Sequence, residues 1–293
     1  MNQRSLLLCC VAASSIFLSI SLILFIGIQR VHHPSGAGGT KGSTPTPGRA
    51  LPLGALLKDK KVGEFQVKGS GEWKREDDST IALGLKKNAI GGSSGGAFDI
   101  ESKSFFPRSA ITFSYKLFLP DDFVFGKGGK LPGVCLSPKN NLTKCANASN
   151  WLSDAGSVRL MWRDDAIIGY IYLPGAGPEE TYKYQGEKYK KATIPGERAG
   201  HDVFYEKRKS VLKLQKGWND ISMTVKLNDP SQKNGVLTVT VNGKTRSVDD
   251  IMYRKTSDTV ISRVRVVAFR GGGSMDWSVP RQNTVKIKDL AIG

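Results

Sequence analysis

Residues 157–172, SVRLMWRDDAIIGYIY, predict a strand, a turn and a second strand. Because side chains alternate between the two faces of a strand, the first strand has one apolar and one polar face. The apolar face, which suits a protein core, carries Val158, Leu160 and Trp162. The opposite face carries Ser157, Arg159, Met161 and Arg163. A cationic strand face next to a second, tyrosine-bearing strand is a candidate site for chemistry.

The length of the turn decides which face the two tyrosines join. A two-residue loop at 164–165 places Arg159 opposite Tyr170 and Ser157 opposite Tyr172, and directly opposed residues share a sheet face. A four-residue loop shifts the pairing but keeps these faces. A three-residue loop would move the tyrosines to the apolar face unless a bulge intervened. We predict the two-residue loop, and therefore one face that carries Ser, Arg and Tyr.

These residue types suit β-elimination on a uronic acid. The C5 proton of a uronate is poorly acidic while the neighbouring carboxylate is charged, and an Arg or Lys offsets that charge and stabilises the enediolate-like intermediate. A Tyr or Lys can remove the proton, and a Tyr can return one to the departing O4. Nearby positive charge would lower the pKa of either group from about 10 toward the working pH. This chemistry requires no metal or other cofactor.

Other catalytic classes have weaker support in the sequence. Only three histidines are present, two of them at 32 and 33, which disfavours a His-centred triad or a multi-His metal site. No cluster of Cys, His, Asp and Glu has metal-ligand spacing. Asp164 and Asp165 would be the carboxylate pair of a glycoside hydrolase, but Asp is common in turns for backbone reasons.

Short alternating segments separated by polar turns predict an all-β domain, a sandwich or jelly roll. Asn242-Gly243 is a strong hairpin signal between two of these segments. The predicted strands cover 109–119, 157–163, 167–173, 219–227, 236–241, 244–248, 260–269 and 284–292.

The N-terminal residues differ in composition from the rest. Residues 5–28 carry no charge, and as a helix they would extend roughly 36 Å, enough to cross a hydrocarbon core of about 30 Å. We predict a signal anchor within 1–30, a Gly/Ser/Pro-rich linker over 31–50 and a globular domain over 51–293. The alternative for the first segment is a secretory signal that is cleaved.

Cysteines and sequons point to an oxidising exterior. Cys135 and Cys145 are the only cysteines beyond the apolar segment, and sequons at Asn141 and Asn147 lie between and just beyond them. We predict a disulfide and two glycosylation sites; two free thiols are the alternative. The predicted location is single-pass membrane-anchored, with the domain extracellular, luminal or on a virion surface, or secreted after cleavage.

The domain is strongly basic. The chain has 43 Lys and Arg and 26 Asp and Glu; since the first 50 residues hold four basic and no acidic residues, the remainder carries a net charge of +13. Such a domain attracts polyanions. The exterior location and the absence of a zinc-finger or RNA-binding motif argue against nucleic acid. The remaining candidates are an anionic membrane surface and an acidic polysaccharide, of which the polysaccharide suits the uronate chemistry above; the N-terminal helix would contact the membrane.

A series of motifs resembles polysaccharide lyase family fourteen over about 109–293. In chain order they are KLPG at 130–133, SVRLMWR at 157–163, YIY at 170–172, GWNDISMTVKLND at 217–229, NGVLTVTVNG at 234–243 and AFRGGG at 268–273. The resemblance implies a β-jelly roll whose concave face holds an acidic polysaccharide, as in the alginate or polyglucuronate lyases of chlorella viruses and molluscs.

The resemblance also implies a set of catalytic residues. The functional Lys of the family matches Lys130, its Ser and Arg match Ser157 and Arg159, and its paired Tyr match Tyr170 and Tyr172. Because the stretch between Lys130 and Ser157 is hard to align, Lys127 is the nearest substitute for the lysine. Three further basic residues are predicted to bind substrate along the groove: Arg163, Lys116 and Arg270.

We therefore expect a carbon–oxygen lyase that cleaves a uronate-containing polysaccharide by metal-independent β-elimination, for example in cell-wall degradation. The alternative is a non-catalytic, lectin-like jelly roll that binds acidic glycans with the same basic groove. The intact set of five residues favours the enzyme.

Overall fold

The computed structural model describes residues 48–293 except 70, 148–153, 175–188, 192–199 and 205–209, and only the backbone of 189–191. Within these residues no helix is long and apolar enough to cross a membrane. The predicted anchor segment at 5–28 and most of the predicted linker lie outside the described residues, so both stay predictions. The last linker residues, Arg49 and Ala50, belong to the first strand.

The described residues form seventeen strands, one short helix and two 3-10 turns. The strands are β1 (Arg49–Leu51), β2 (Lys61–Val62), β3 (Phe65–Lys68), β4 (Lys74–Arg75), β5 (Ile81–Leu85), β6 (Gly96–Glu101), β7 (Ala110–Leu119), β8 (Gly129–Pro138), β9 (Gly156–Arg163), β10 (Ala166–Tyr172), β11 (Tyr189–Lys191), β12 (His201–Val203), β13 (Gly217–Lys226), β14 (Gly235–Val241), β15 (Lys244–Ile251), β16 (Thr259–Arg270) and β17 (Asn283–Ile292). The helix α1 is Leu53–Asp59, and the 3-10 turns are Gly91–Ser94 and Met275–Trp277.

The strands pair into two antiparallel sheets that pack as a sandwich, which confirms the all-β prediction. Among the described residues, one sheet has nine strands in the order β11-β12-β10-β9-β8-β16-β6-β3-β2. The other has eight, in the order β15-β14-β13-β7-β17-β5-β4 with β1 paired to β17. One apolar core lies between them, built from the inward residues of both sheets. Alternating burial along β7, β13 and β14 follows from one face packing on that core and the other facing solvent.

The hairpin of β9 and β10 has the predicted two-residue turn. Asp164 adopts a positive φ of 50°, a conformation that Asp tolerates better than most residues. Tyr170 lies opposite Arg159 and Tyr172 opposite Ser157. The apolar residues of β9 belong to the core between the sheets, whereas both tyrosines pack in a separate cluster with Met161. The predicted division of faces is therefore confirmed.

Strand β8 is central in the nine-stranded sheet but was not predicted. It pairs with β9 on one side and β16 on the other. Pro132 and Gly133 interrupt the sequence pattern of this strand, because Pro has no amide hydrogen to donate and is rare in central strands. The register shifts between Lys130 and Gly133 against β9, and between Arg265 and Phe269 against β16. These irregularities are where a sheet accommodates a proline.

The predicted disulfide is present. Cys135 on β8 is bonded to Cys145, so the two thiols are not free. Asn141 is exposed on the loop that the disulfide closes, and Asn147 is partly buried just beyond it. Glycosylation at either position stays a prediction.

Gly133 is expected to tolerate no side chain. It lies between Arg159 on β9 and Arg265 on β16, and a Cβ there would lie 2.2 Å from the Val158 carbonyl oxygen and 2.4 Å from the Arg159 Cα. We expect Gly133→Ala to lower the free energy of unfolding by about 1–3 kcal/mol. Thermal unfolding of full-length variants measures this. The control is Gly92→Ala, since a Cβ there meets nothing within 4 Å; equal stability of the two variants would contradict the prediction.

Candidate active site

The structure brings the five predicted catalytic residues to the outer face of the nine-stranded sheet. Lys130 comes from β8, Ser157 and Arg159 from β9, and Tyr170 and Tyr172 from β10. The three strands are neighbours in the sheet, so strand pairing sets the positions of all five. Each is buried, with Tyr170 and Lys130 the most accessible at 6% exposure. A low-dielectric setting strengthens every electrostatic interaction in such a group.

Lys130 is a buried amine enclosed by aromatic rings. Its Nζ lies 2.9 Å from the centroid of the Tyr170 ring, 5.7 Å from that of Tyr172 and 3.3 Å from the Met161 sulfur. Among the described residues, no carboxylate forms an ion pair with it. Burial lowers the pKa of Lys130 well below its ordinary value; the charges of Arg159 and Arg163 lower it further, and that of Asp202 raises it. The Tyr170 ring face favours the ammonium form and opposes this shift.

Arg159 and Ser157 converge on one backbone oxygen. The Ala146 carbonyl accepts a hydrogen bond of 3.0 Å from Arg159 Nη2 and one of 2.8 Å from Ser157 Oγ. Arg159 Nε has no hydrogen-bond partner among the described residues. Burial, and then the charge of Arg265, lowers the pKa of Arg159 to about 10. The guanidinium therefore stays charged at neutral pH and has an unsatisfied donor.

The disulfide loop holds the Ala146 carbonyl in place. Arg263, which is 2% exposed, donates from Nη2 to the Thr143 and Lys144 carbonyls at 2.6 and 3.3 Å and from Nη1 to the Leu142 carbonyl. Ser137 Oγ also donates to the Lys144 carbonyl, at 2.6 Å. One guanidinium thus satisfies three successive carbonyls directly before the disulfide and Ala146. We infer that this clamp orients Arg159 through the loop.

The two tyrosines form an edge-on pair, with ring centroids 5.2 Å apart. The Tyr170 hydroxyl accepts a hydrogen bond of 3.0 Å from the Gly200 amide. Burial raises the pKa of Tyr170, although its hydrogen bond with Tyr172 acts in the opposite direction. Tyr170 therefore retains its proton at neutral pH and is equipped to donate it.

The margin of the site contains residues that sequence reasoning missed. Asp202 on β12 lies opposite Tyr170 and forms an ion pair of 3.1 Å with Arg163 Nη2. The Arg163 guanidinium also lies 4.7 Å from the centroid of the Trp277 ring, and Trp277 packs against the tyrosine cluster. Arg163 is therefore next to the site but already paired. Strand β12 has only three residues, too few for an alternation pattern to reveal Asp202.

Two of the predicted substrate-binding residues lie away from the group of five catalytic candidates. Arg270 is fully buried and donates to the Val124 carbonyl at 2.7 Å and to Asn283 Oδ1 at 2.9 Å, so its guanidinium is a structural group near the sheet end. Lys116 lies on β7 of the other sheet, within 3.7 Å of Asp220 and 4.0 Å of Asp289. Neither joins the five residues. Sequence reasoning took both for groove residues because a basic surface offers many such candidates.

Comparison with known proteins identifies the family. The Polysaccharide lyase 14 family model matches residues 76–290. This chain belongs to polysaccharide lyase family 14. The family places it among the carbon–oxygen lyases that act on polysaccharides, and the resemblance inferred from the motifs is confirmed.

The chain is similar to several known proteins. It is 30% identical over 195 residues to exolysin of Paramecium bursaria Chlorella virus 1, a match that covers 61% of this chain but only 28% of the length of that relative. Among solved structures, alginate lyase vAL-1 from Chlorella virus is 25% identical, with a TM-score of 0.63 over 84% of this chain and 99% of the other. The PL-14 alginate lyase from Aplysia kurodai is 19% identical, with a TM-score of 0.67 over 85% and 99%, and supports the fold.

The loop clamp predicts a selective effect of Arg263→Lys. Besides the three carbonyls, Arg263 binds Asp99, with Nε 2.9 Å from Oδ2. A lysine has one ammonium and cannot bind all four groups together. If Arg159 has the catalytic role predicted from the sequence, we expect kcat for polysaccharide cleavage to fall about tenfold, equivalent to about 1.4 kcal/mol, with KM changed less, because the loop carbonyl positions the Arg159 guanidinium. Steady-state kinetics on folded variants measures this split.

Arg265→Lys is the matched control for the loop clamp. Arg265 also binds Asp99, through hydrogen bonds of 2.7 and 2.8 Å, but no bond joins it to the loop carbonyls. We expect its kcat to fall much less than that of Arg263→Lys. An equal loss of kcat in both variants would show that the ion pairs with Asp99, and not the contacts with the loop, determine kcat.

Proposed function

We propose that this chain is a lyase that cleaves a uronate-containing polysaccharide, such as alginate or polyglucuronate, by metal-independent β-elimination in a jelly-roll domain. One observation carries the proposal: the charged Arg159 guanidinium is buried beside Lys130 and a tyrosine pair, and it forms no ion pair among the described residues. Buried charge is costly without a partner, and a substrate carboxylate supplies one. The alginate lyases among the similar structures support the same substrate class.

Arg159 is the group proposed to bind the carboxylate of the sugar that loses its C5 proton. Its free Nε–H can donate to one carboxylate oxygen, and its positive charge lowers the energy of the enediolate-like intermediate. The electrons of the C5–H bond form the C4=C5 double bond. The C4–O4 bond breaks and leaves both its electrons on O4. Because protein cations supply the positive charge, the proposal assigns no metal to the step.

Lys130 is proposed as the base and Tyr170 as the acid. Because the pKa of Lys130 is lowered well below its ordinary value, its neutral amine is more available than that of an exposed lysine, and that amine accepts the C5 proton. The raised pKa of Tyr170 keeps its hydroxyl protonated, and that hydroxyl gives its proton to O4. Tyr172, whose ring packs on Tyr170, is proposed to orient the acid, and Ser157 to hold the Ala146 carbonyl.

The cellular setting is a separate proposal. The Cys135–Cys145 disulfide supports an oxidising compartment, and residues 5–28 are long enough to anchor the chain in a membrane. We propose an extracellular, luminal or virion-surface domain, attached through this segment or released by its cleavage. An exposed Asn141 is available for glycosylation.

The decisive assay offers polyglucuronate, alginate and pectate separately to the full-length chain. Elimination creates an unsaturated uronate with ultraviolet absorbance, which hydrolysis does not. We expect absorbance to rise on at least one polymer, to persist after EDTA treatment and to fall at least about a hundredfold in Lys130→Ala. Salt-sensitive binding without any rise would favour a lectin-like role instead. Loss with EDTA that added metal reverses would refute metal independence.

The pH dependence of turnover tests the base assignment. Since only the neutral amine of Lys130 accepts a proton, we expect kcat to rise as pH increases through its lowered pKa and then to level off well below pH 10.5. The pH profile of kcat measures this. The Lys127→Met variant is the control, because Lys127 is exposed and pairs with Asp276; we expect it to keep the native profile. A profile that first rises near the ordinary lysine pKa would contradict the assignment.

The lowered pKa of Lys130 also predicts that replacing this residue changes the free energy of unfolding. The folded state disfavours the ammonium of Lys130, which lowers the free energy of unfolding. This destabilisation is complete at pH values below the folded-state pKa, and it disappears as pH rises toward the unfolded-state pKa of about 10.4. We expect Lys130→Met to raise the free energy of unfolding at neutral pH by about 1 kcal/mol while abolishing turnover, and this gain to shrink at alkaline pH. Denaturant unfolding at several pH values measures it; a destabilised methionine variant would contradict the lowered pKa.

A further inference from the structure

The outer face of the eight-stranded sheet carries an exposed aromatic pair. Trp218 on β13 lies opposite Phe118 on β7, with ring centroids 5.3 Å apart and tilted by 57°. Trp218 is 36% exposed, and it is the one aromatic among the large hydrophobic side chains exposed in the described part of the chain. An exposed tryptophan on a sheet face offers a flat apolar surface to a ligand.

Lysines surround this aromatic pair. Lys288 Nζ lies 4.4 Å from the centroid of the Trp218 ring, and Lys286 Nζ lies 5.8 Å from that of Phe118. Lys116 lies opposite Lys288 on the neighbouring strand. We call these five residues the Trp218 patch. Its lysine stems and rings provide apolar contact area, while the ammonium groups remain at the surface.

Carboxylates border the Trp218 patch. Lys116 is 3.7 Å from Asp220 and 4.0 Å from Asp289, and Lys286 is 2.9 Å from Glu76. These are partly exposed pairs, which are weak in water. Carboxylates beside lysines can accept hydrogen bonds from sugar hydroxyls, while the ammonium groups bind sugar carboxylates. Lys288 has its contact with the Trp218 ring and forms no ion pair among the described residues.

Two rows of hydroxyl side chains continue the face beyond the patch. Strand pairing aligns Ser114, Ser222, Thr240 and Thr245 in one row and Thr112, Thr224, Thr238 and Ser247 in the next. A shallow groove runs over part of the first row and reaches Lys116 and Asp220. Strands lie about 4.8 Å apart, so each row presents a polar group at regular intervals. This is a surface along which an extended, hydroxyl-rich polymer can lie.

We propose that the Trp218 patch and the adjacent groove form a second binding surface for an acidic polysaccharide, one that holds the polymer without cleaving it. Sugar rings would stack on Trp218 and Phe118, and sugar carboxylates would pair with Lys116 and Lys288. The choice of an acidic polymer rests in part on the proposed function and in part on the net positive charge of the domain. Lys116, predicted to bind substrate, would do so on this sheet and not at the active site.

The test separates polymer binding from turnover. Affinity for alginate and polyglucuronate is measured by electrophoresis through polymer-containing gels, using full-length chains that carry Arg159→Met to weaken the active site. We expect Trp218→Ala to weaken binding at least about tenfold and Lys288→Gln to weaken it less while reducing its salt dependence. Val211→Ala is the control, because Val211 is a similarly exposed apolar side chain at 39%, and it should bind like its parent.

A second measurement uses chains with an intact active site. Turnover of a short uronate oligosaccharide, too short to reach both sheets, should be the same in Trp218→Ala and Val211→Ala. Equal polymer affinity in the two variants would overturn the inference, and so would a loss of affinity for a neutral glucan as large as that for the acidic polymers. If no polymer is cleaved but Trp218-dependent binding remains, the proposed function fails while the second surface stands.

Discussion

The site depends on the positive charge of Arg159, which is buried and has no ion pair with a carboxylate in the described part of the chain. Arg159 is 3% exposed and holds one backbone carbonyl, and Lys130 rests on an aromatic ring and a thioether. The carbonyl contact of Arg159 does not replace the hydration that its guanidinium loses, and burial disfavours the ammonium form of Lys130. In the proposed function, an incoming carboxylate pairs with Arg159 and offsets this cost. That is the arrangement expected where binding of an anion and stabilisation of a developing negative charge are the task.

Rigid strands sustain this arrangement. Lys130, Arg159 and Tyr170 come from three adjacent strands, and a sheet holds side chains more tightly than loops do. The irregular pairing of β8 lets Pro132 occupy a central strand, and Gly133 leaves room between two arginines. The disulfide and Arg263 then hold the loop that ends at Ala146. Each of these features limits how far the side chains of Lys130 and Arg159 can move apart.

The sequence predicted those parts of the site that depend on local pattern. Alternation along 157–163 and a two-Asp turn were enough to predict the register of β9 and β10, because one face of this hairpin is apolar. Strand β8 was missed, since a proline and a glycine hide its pattern. Arg270 was misplaced because nothing local distinguishes an exposed arginine from one that binds Asn283 Oδ1 inside the fold. Asp202 reaches the site by long-range pairing of a three-residue strand, which no local pattern encodes.

The two faces of the sandwich differ in the way that two different tasks require. On the nine-stranded sheet the cations are desolvated, which lowers the pKa of Lys130 and strengthens its effect on a reacting group. On the eight-stranded sheet the lysines stay partly exposed beside Trp218, where their charges attract polyanions at longer range. A base needs the first environment, and reversible contact with a long polymer needs the second. One sheet face could not both bury its lysines and leave them exposed to solvent, whereas the two outer faces of a sandwich can differ in this way.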